Sequence, residues 1–344
     1  MAAPIDLTNM PSARGYPAHP ALVVVGNDAV RVLAESGFRV TSHVAFTEAL
    51  AFRLKIDLSA TLTVMRNLPL WVDGPQHAEL RRKVATFLAE DRLVKLARAK
   101  ARIRAAIAKA LGSGGPARVD LLALVREVVD VFMEEITGIP RPDGDLSSLP
   151  SIFSSNLGVA ARRRLEASLK RQFEMAQNLF PAEPPERHAL RVGQWTMGRD
   201  PLIGSLGLSL HDHITSLDGA SLCERRLPSV PTQTGVPAIG RIANFAQTVA
   251  GCPVAEGALI ECRLDSLTGR PAAERQHFFG AGPHLCLGRP FTLAFWDCVA
   301  DALADQDISL TVCDFALAQN DVFDIPSVFT ARTTSLSQLG SEAL

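Results

Sequence analysis

The stretch Phe278-Phe279-Gly280-Ala281-Gly282-Pro283-His284-Leu285-Cys286-Leu287-Gly288 is where residue types and spacing in this 344-residue chain point most directly to chemistry. Gly280, Gly282 and Gly288 let a backbone approach a flat partner closely. Cys286 stands where the helix-forming run Arg289 to Leu303 begins. The free N–H groups and positive dipole end of such a helix face the sulfur, which lowers a thiol's pKa and stabilises the thiolate. A thiolate placed in this way is a soft, electron-donating metal ligand. The competing reading is a Gly-rich turn around a plain structural cysteine.

A second constellation lies far upstream. Asp73-Gly74-Pro75-Gln76-His77-Ala78-Glu79-Leu80-Arg81-Arg82 reads as a Pro-started helix in which His77 and Arg81, four apart, share one face. Two cationic or donor groups side by side suit a pair of carboxylates. Taken alone, the same spacing also fits an ordinary surface helix.

The pattern Phe279-Gly280-x-Gly282-x-His284-x-Cys286-x-Gly288 resembles the proximal haem loop of the cytochrome P450 superfamily. The resemblance implies a haem b cofactor with Cys286 as its axial iron ligand, a donor that favours O–O cleavage. It implies that Phe279 packs near the sulfur and that N–H groups at Leu287 and Gly288 tune the iron. The His77–Arg81 segment resembles the family's C helix, which holds a haem propionate. The segment Gln233-Thr234-Gly235-Val236, Arg241-Ile242-Ala243 and on to Ile260 resembles β-segments whose arginine contacts a propionate. Arg241 and His284 thereby join His77 and Arg81 as implied propionate contacts.

The family's central helix carries a small residue, an acid and a threonine over the distal haem face. Its counterpart here is Trp195-Thr196-Met197-Gly198-Arg199-Asp200-Pro201-Leu202-Ile203-Gly204. Gly198 is expected to open the groove where oxygen sits, and Asp200 matches the acid. Pro201 replaces the threonine, removing a hydroxyl and one helical N–H, so a kink is expected there. Trp195, Met197, Arg199, Val236 and Ile239 are the substrate-pocket residues this alignment implies, with Arg199 favouring an acidic substrate group. The family's Glu-x-x-Arg pair is incomplete: Arg225 stands three before Pro228, but the acid's place is Leu222 and the nearest carboxylate is Glu224.

These sites need elements to hold them. Residues 18–60 mix short β-like runs (Ala21 to Val25, Phe38 to Val44) with helical ones and, with 232–262, make a small β-rich lobe. Residues 91–111 form an Arg/Lys/Ala-rich helix with a solvated charged face. After a break at Gly112 to Pro116, Val119 to Ile136 places Leu121, Leu122, Val125, Val128, Val129, Phe132 and Ile136 at helical spacing before Gly138-Ile139-Pro140. It resembles the family's E helix, with a core role. A Pro/Asp/Ser loop covers 141–156, and a helix over 160–180 turns Arg162, Arg163 and Arg164 to solvent. The expected fold is mainly α with a small β lobe, one haem-thiolate domain over 1–344, trimmed between the central helix and the cysteine loop.

Composition bounds the function. Hydrophobic content of 47% at this length fills a large core. A net charge of −1 gives no electrostatic footprint for nucleic acid or an anionic membrane. No apolar run is long enough to span a bilayer, and Met1 to Tyr16 is polar, so no membrane anchor is expected. Six cysteines without metal-finger spacing suggest a reducing cytoplasm, with five of them plain core residues. The resemblance leaves three classes of function. One is an oxygen-dependent monooxygenase acting on a small natural-product-like substrate with electrons from ferredoxin and ferredoxin reductase. Another is a peroxide-dependent or partner-independent haem enzyme; the third is a silent homologue that activates a partner enzyme.

Overall fold

A computed structural model of the chain describes residues 20–112, 117–142, 146, 148–154, 157–318 and 322–335. The expectations for Met1 to Tyr16, and most of the break at Gly112 to Pro116, lie outside the described residues. The chain opens with β1 (Leu22–Val25), α1 (Gly26–Ala34), β2 (Phe38–Val40), α2 (Val44–Leu54), α3 (Ser59–Asn67), α4 (Gly74–Ala89) and α5 (Arg92–Leu111). Then follow β3 (Arg118–Asp120), α6 (Leu121–Thr137), α7 (Val159–Leu179) and α8 (Pro185–Leu217). The remainder holds β4 (Ala238–Ala243), β5 (Gln247–Val249), β6 (Cys252–Val254), β7 (Leu259–Arg263), α9 (Ala272–Arg275), α10 (Arg289–Ala304), β8 (Ile308–Leu317) and β9 (Pro326–Ser335).

The core helix is α6. Asp120 caps it, its Oδ1 accepting the Ala123 N–H at 2.9 Å, and Gly138 ends it at φ 73°, a conformation that favours glycine. Every apolar position picked out by periodicity along this helix is buried, and Phe132 stacks on Phe295 of α10 at 4.7 Å. Its neighbours are α5 and α8. The charges of α5 do more than face water: Arg102 reaches Glu134 and Glu135 on α6, and Lys100 reaches Asp301 on α10. Arg162 departs from expectation too. It is buried, donating to the Leu157 carbonyl, while Arg163 and Arg164 are exposed.

The small lobe is a sheet of order β1-β7-β4-β2, parallel between β1 and β7 and antiparallel elsewhere. Its register sets Arg241 opposite Ile260 on β7 and Val40 on β2. A second sheet pairs β3, β9 and β8. The 141–156 loop contains a 3-10 turn, Leu149–Phe153. Among the cysteines only Cys262 and Cys298 are buried; Cys223, Cys252 and Cys313 are exposed, against the expectation of five core thiols.

Candidate functional site

The cysteine loop is built by its backbone. Gln276–Phe279 forms a 3-10 turn that Gly280 ends at φ 80° and ψ −166°, a conformation open essentially to glycine. Gly282 has φ 62°, and a Cβ there would lie 2.6 Å from the Ala34 Cα, so α1 packs where only glycine fits. The loop closes when the Cys286 N–H donates to the Phe279 carbonyl at 2.9 Å, and α10 starts at Arg289 with proline next.

Cys286 is exposed as a residue, and two opposing influences act on its thiol. Burial pushes the thiol pKa up; the N–H groups of Gly288 and Arg289 and the charge of Arg81 pull it down. The donors are thus Gly288 and Arg289, one residue further along than the expected pair Leu287 and Gly288.

Four donor groups gather beside this loop around a single carboxylate. Asp73, at the start of α4, accepts the Val40 N–H at 2.9 Å on one oxygen and meets His284 Nε2 at 2.9 Å on the other. The His77 and His284 rings stack with centroids 4.0 Å apart. Arg81 Nη1 donates to the Leu285 carbonyl at 2.8 Å, tying α4 to the loop. Arg241 is only 7% exposed, and its Nη1 donates to the Gly240 carbonyl at 3.0 Å. Burial lowers the His77 pKa to about 4, helped by the charges of His284 and Arg81 and opposed by Asp73. His284 is lowered as well, first by burial and then by Arg241 and Arg81 against Asp73.

These residues fit a flat dianionic group with a thiolate-seeking metal. His77 Nε2 is buried with no hydrogen-bond partner among the described residues, and Arg241 faces no carboxylate within ion-pair distance there. A carboxylate-bearing ligand would satisfy both. Phe279 is half-buried in the loop, and a Cβ on Gly288 would lie 3.6 Å from the Cys286 sulfur.

No family model matches the sequence, and no curated protein does. Solved structures do. CalO2 matches with a TM-score of 0.70 at 16% identity, over 91% of this chain and 90% of that one. The tirandamycin C-bound P450 monooxygenase TamI matches with 0.68 at 17% identity, over 90% and 88%. P450 RauA, complexed with a biosynthetic intermediate of aurachin RE, gives 0.65 at 16% identity, over 95% and 94%. The chain has the cytochrome P450 fold. Within that P450 fold the helical mass and small β lobe expected from sequence are both present, and α8 stands as its long central helix.

The far side of the site differs from expectation in detail. Helix α8 continues past Pro201, which lies inside it. Gln194, Met197, Gly198, Pro201, Ser205 and Leu208 form its less covered stripe, at spacings that keep one face. Arg199 is no free pocket cation. Its Nε donates to Asp130 Oδ1 at 2.6 Å and its Nη1 to Asp200 Oδ1 at 2.8 Å, all three side chains buried against α6. Asp200 therefore turns toward α6, and burial pushes its carboxyl pKa up against the pull of Arg199. Trp195 is fully buried in the core, with no partner for Nε1 among the described residues, and a Cβ on Gly198 would press on Met133 at 3.0 Å, so this glycine serves helix packing. Val236 and Ile239 are partly buried against the core of the β lobe.

Beneath the loop the Glu-x-x-Arg pair is missing, in keeping with its incomplete motif. No helix forms over 218–231. Leu222 is buried, Glu224 accepts the Ser221 N–H, and Arg225 donates to the Ser216 carbonyl. Arg226 instead pairs with Asp297 and Asp301 on α10. Arg275 Nη1 donates to the Pro231 carbonyl at 2.6 Å, and Trp296 Nε1 to the Pro228 carbonyl at 2.6 Å. Only a spatial partner reveals these roles, and the spacing of an Arg before a Pro does not carry it.

Proposed function

We propose that this protein is a haem-thiolate oxidoreductase that binds haem b through Cys286 and oxidises a small organic substrate of the natural-product kind. The observation that carries the reading is the convergence, at one loop, of a sulfur receiving the Gly288 and Arg289 N–H groups with His77, Arg81, Arg241 and His284. His77, Arg81, Arg241 and His284 take the propionates, and Phe279 packs beside the sulfur. When bound, haem supplies oxidation at iron. The chain's own residues hold the thiolate, neutralise the propionates, and bound the distal space through Met197, Pro201, Val236 and Ile239. Structural neighbours bound to tirandamycin C and to an aurachin RE intermediate support this substrate class.

The oxygen-dependent monooxygenase is the leading form, with electrons from ferredoxin and its reductase; Asp200, turned to α6 and paired with Arg199, is held for the fold, so the proton comes from water or from the substrate. A peroxide-using form is favoured by one feature. Pro201 has no hydroxyl and the Thr196 hydroxyl donates to the Val192 carbonyl, so the two positions that flank Asp200 on this stretch supply no free hydroxyl, and the nearest further one is Ser205, whose Oγ accepts the Gly235 N–H. The first test is the carbon monoxide difference spectrum of the reduced, haem-loaded protein, in which a thiolate ligand gives the absorption that names the family. Turnover with hydrogen peroxide alone against turnover with reduced ferredoxin then separates the two forms.

A further inference from the structure

Pro201 lies inside α8, where it interrupts the helix's own hydrogen bonding. Having no N–H, it leaves the Met197 carbonyl, four residues earlier, without its helical donor. No side chain and no loop N–H among the described residues takes that donor's place. Elsewhere on the helix a hydroxyl reaches back to the carbonyl four residues earlier: Thr196 donates to Val192 at 2.8 Å. A threonine at 201 would do the same for Met197; proline has no hydroxyl.

Helical geometry places this acceptor. A carbonyl points along the axis toward the residue four further on, so this one lies between Met197 and Pro201, both on the less covered stripe of α8. The loop through Gly235 covers the helix only from the following turn, where a Cβ on Gly235 would lie 2.7 Å from the Pro201 carbonyl oxygen and 2.9 Å from the Ser205 nitrogen. Arg199 and Asp200, the charged groups of this turn, are engaged with each other and with Asp130. What remains is a main-chain acceptor between the apolar side chains of Met197 and Pro201. Such an acceptor discriminates between ligands: one that brings a donor gains a hydrogen bond, and one that covers the carbonyl without a donor leaves it unpaired.

We propose that the Met197 carbonyl is a specificity-determining group, accepting a hydroxyl or N–H of the substrate that lies along this stripe. The substrate class is thereby a neutral hydrogen-bond donor on an apolar frame, rather than the acidic group that a free Arg199 would have attracted. The proposal rests on the reading of the α8 stripe as a wall of the substrate space, and the experiment keeps the two apart.

Two probes of nearly equal shape test it: cyclohexanol, which has the donor, and methylcyclohexane, which does not. Each is titrated into the haem-loaded protein, wild type and Pro201→Ala, and binding is read from the shift of the haem absorption band. Alanine supplies the missing N–H, so the ratio of cyclohexanol to methylcyclohexane affinity falls by at least ~fivefold. Pro201→Thr, which adds a hydroxyl placed as at Thr196, lowers it at least as far. A merely structural effect weakens both probes together and leaves the ratio unchanged. The haem-free protein gives a second readout, since closing the helix at 201 raises the urea midpoint of Pro201→Ala. A ratio that stays within about twofold overturns the proposal, as does a wild type in which cyclohexanol produces no shift, or an alanine variant whose urea midpoint does not rise. Absence of the thiolate absorption in carbon monoxide overturns the haem reading alone, and the urea comparison still decides whether the Met197 carbonyl is unpaired.

Discussion

The two sides of the site solve the problem of buried charge in opposite ways. At the cysteine loop, several donors surround one carboxylate: Asp73 serves His284, while His77 Nε2 and the Arg241 guanidinium have no carboxylate of their own among the described residues. Under α8, Arg199 is fully engaged by Asp130 and Asp200. A region left short of anions is built to receive one, and a region already neutralised is built to stay shut. The contrast separates ligand-holding charge from fold-holding charge within one molecule.

The largest effect that can break this contrast is at Cys286. Cys286→Ala removes the only soft donor on the loop, so the thiolate-type carbon monoxide spectrum should vanish while the folded circular dichroism signal remains. A variant that keeps that spectrum would overturn the reading of the loop. At α8 the expected loss falls on stability. Arg199→Ala leaves Asp200 buried without its cation and Asp130 with only Arg141, 3.5 Å away, a loss of up to about 3 to 5 kcal/mol when charges are this deep. Urea unfolding measures it, and a double-mutant cycle with Asp130→Asn isolates the pair. A loss below about 1 kcal/mol would mean that water reaches the triad and that Arg199 is open to substrate after all.

The same contrast explains what could be read from sequence. The cysteine loop, α4 and α6 rest on local signals: glycines at positive φ, a proline at the first helical turn, an Asp cap and apolar periodicity. Those signals are properties of neighbouring residues, so no tertiary knowledge is needed. Arg199 was misread because its partner Asp130 lies 69 positions away. Arg226 and Arg275 were missed for the same reason: their partners sit on α10 and in the turn at Pro231. The cations of α5 looked like a solvated face because a helix pattern carries no information about the acids on α6 and α10. Asp73 was inside the quoted motif, yet its role needs Val40 and His284 from two other elements.

A finer test compares two cations within the receiving cluster. Arg241 is buried, whereas Arg81 is half-exposed and already bonded to the Leu285 carbonyl. Removing the more desolvated cation should do more damage, so Arg241→Ala should purify with less haem than Arg81→Ala, and His77→Ala should be milder than either. The ratio of haem absorbance to protein absorbance reads this directly. Equal occupancy in all three would separate the cluster from propionate binding and leave Cys286 as the sole established feature of the loop.

The smallest expected effect is a pH dependence centred on His77. Its pKa is lowered from 6.5 to about 4 in the folded chain without a bound anion. The unfolded chain therefore binds a proton at pH values where the folded one does not. The sign is fixed by linkage: this group contributes stability above pH 6.5 and loses it progressively as pH falls toward 4. Urea midpoints of the haem-free protein should decline across that window, and His77→Gln should flatten part of the decline, the rest belonging to His284, His43 and His213, which burial lowers as well. Haem loading adds a test that a merely structural histidine would fail. A carboxylate brought to His77 Nε2 stabilises the imidazolium, raises the pKa and shrinks the window, so the slope should be shallower in the haem-loaded protein than in the haem-free one. Equal slopes in the two forms would place the propionate elsewhere and leave His77 as a partner of His284 alone.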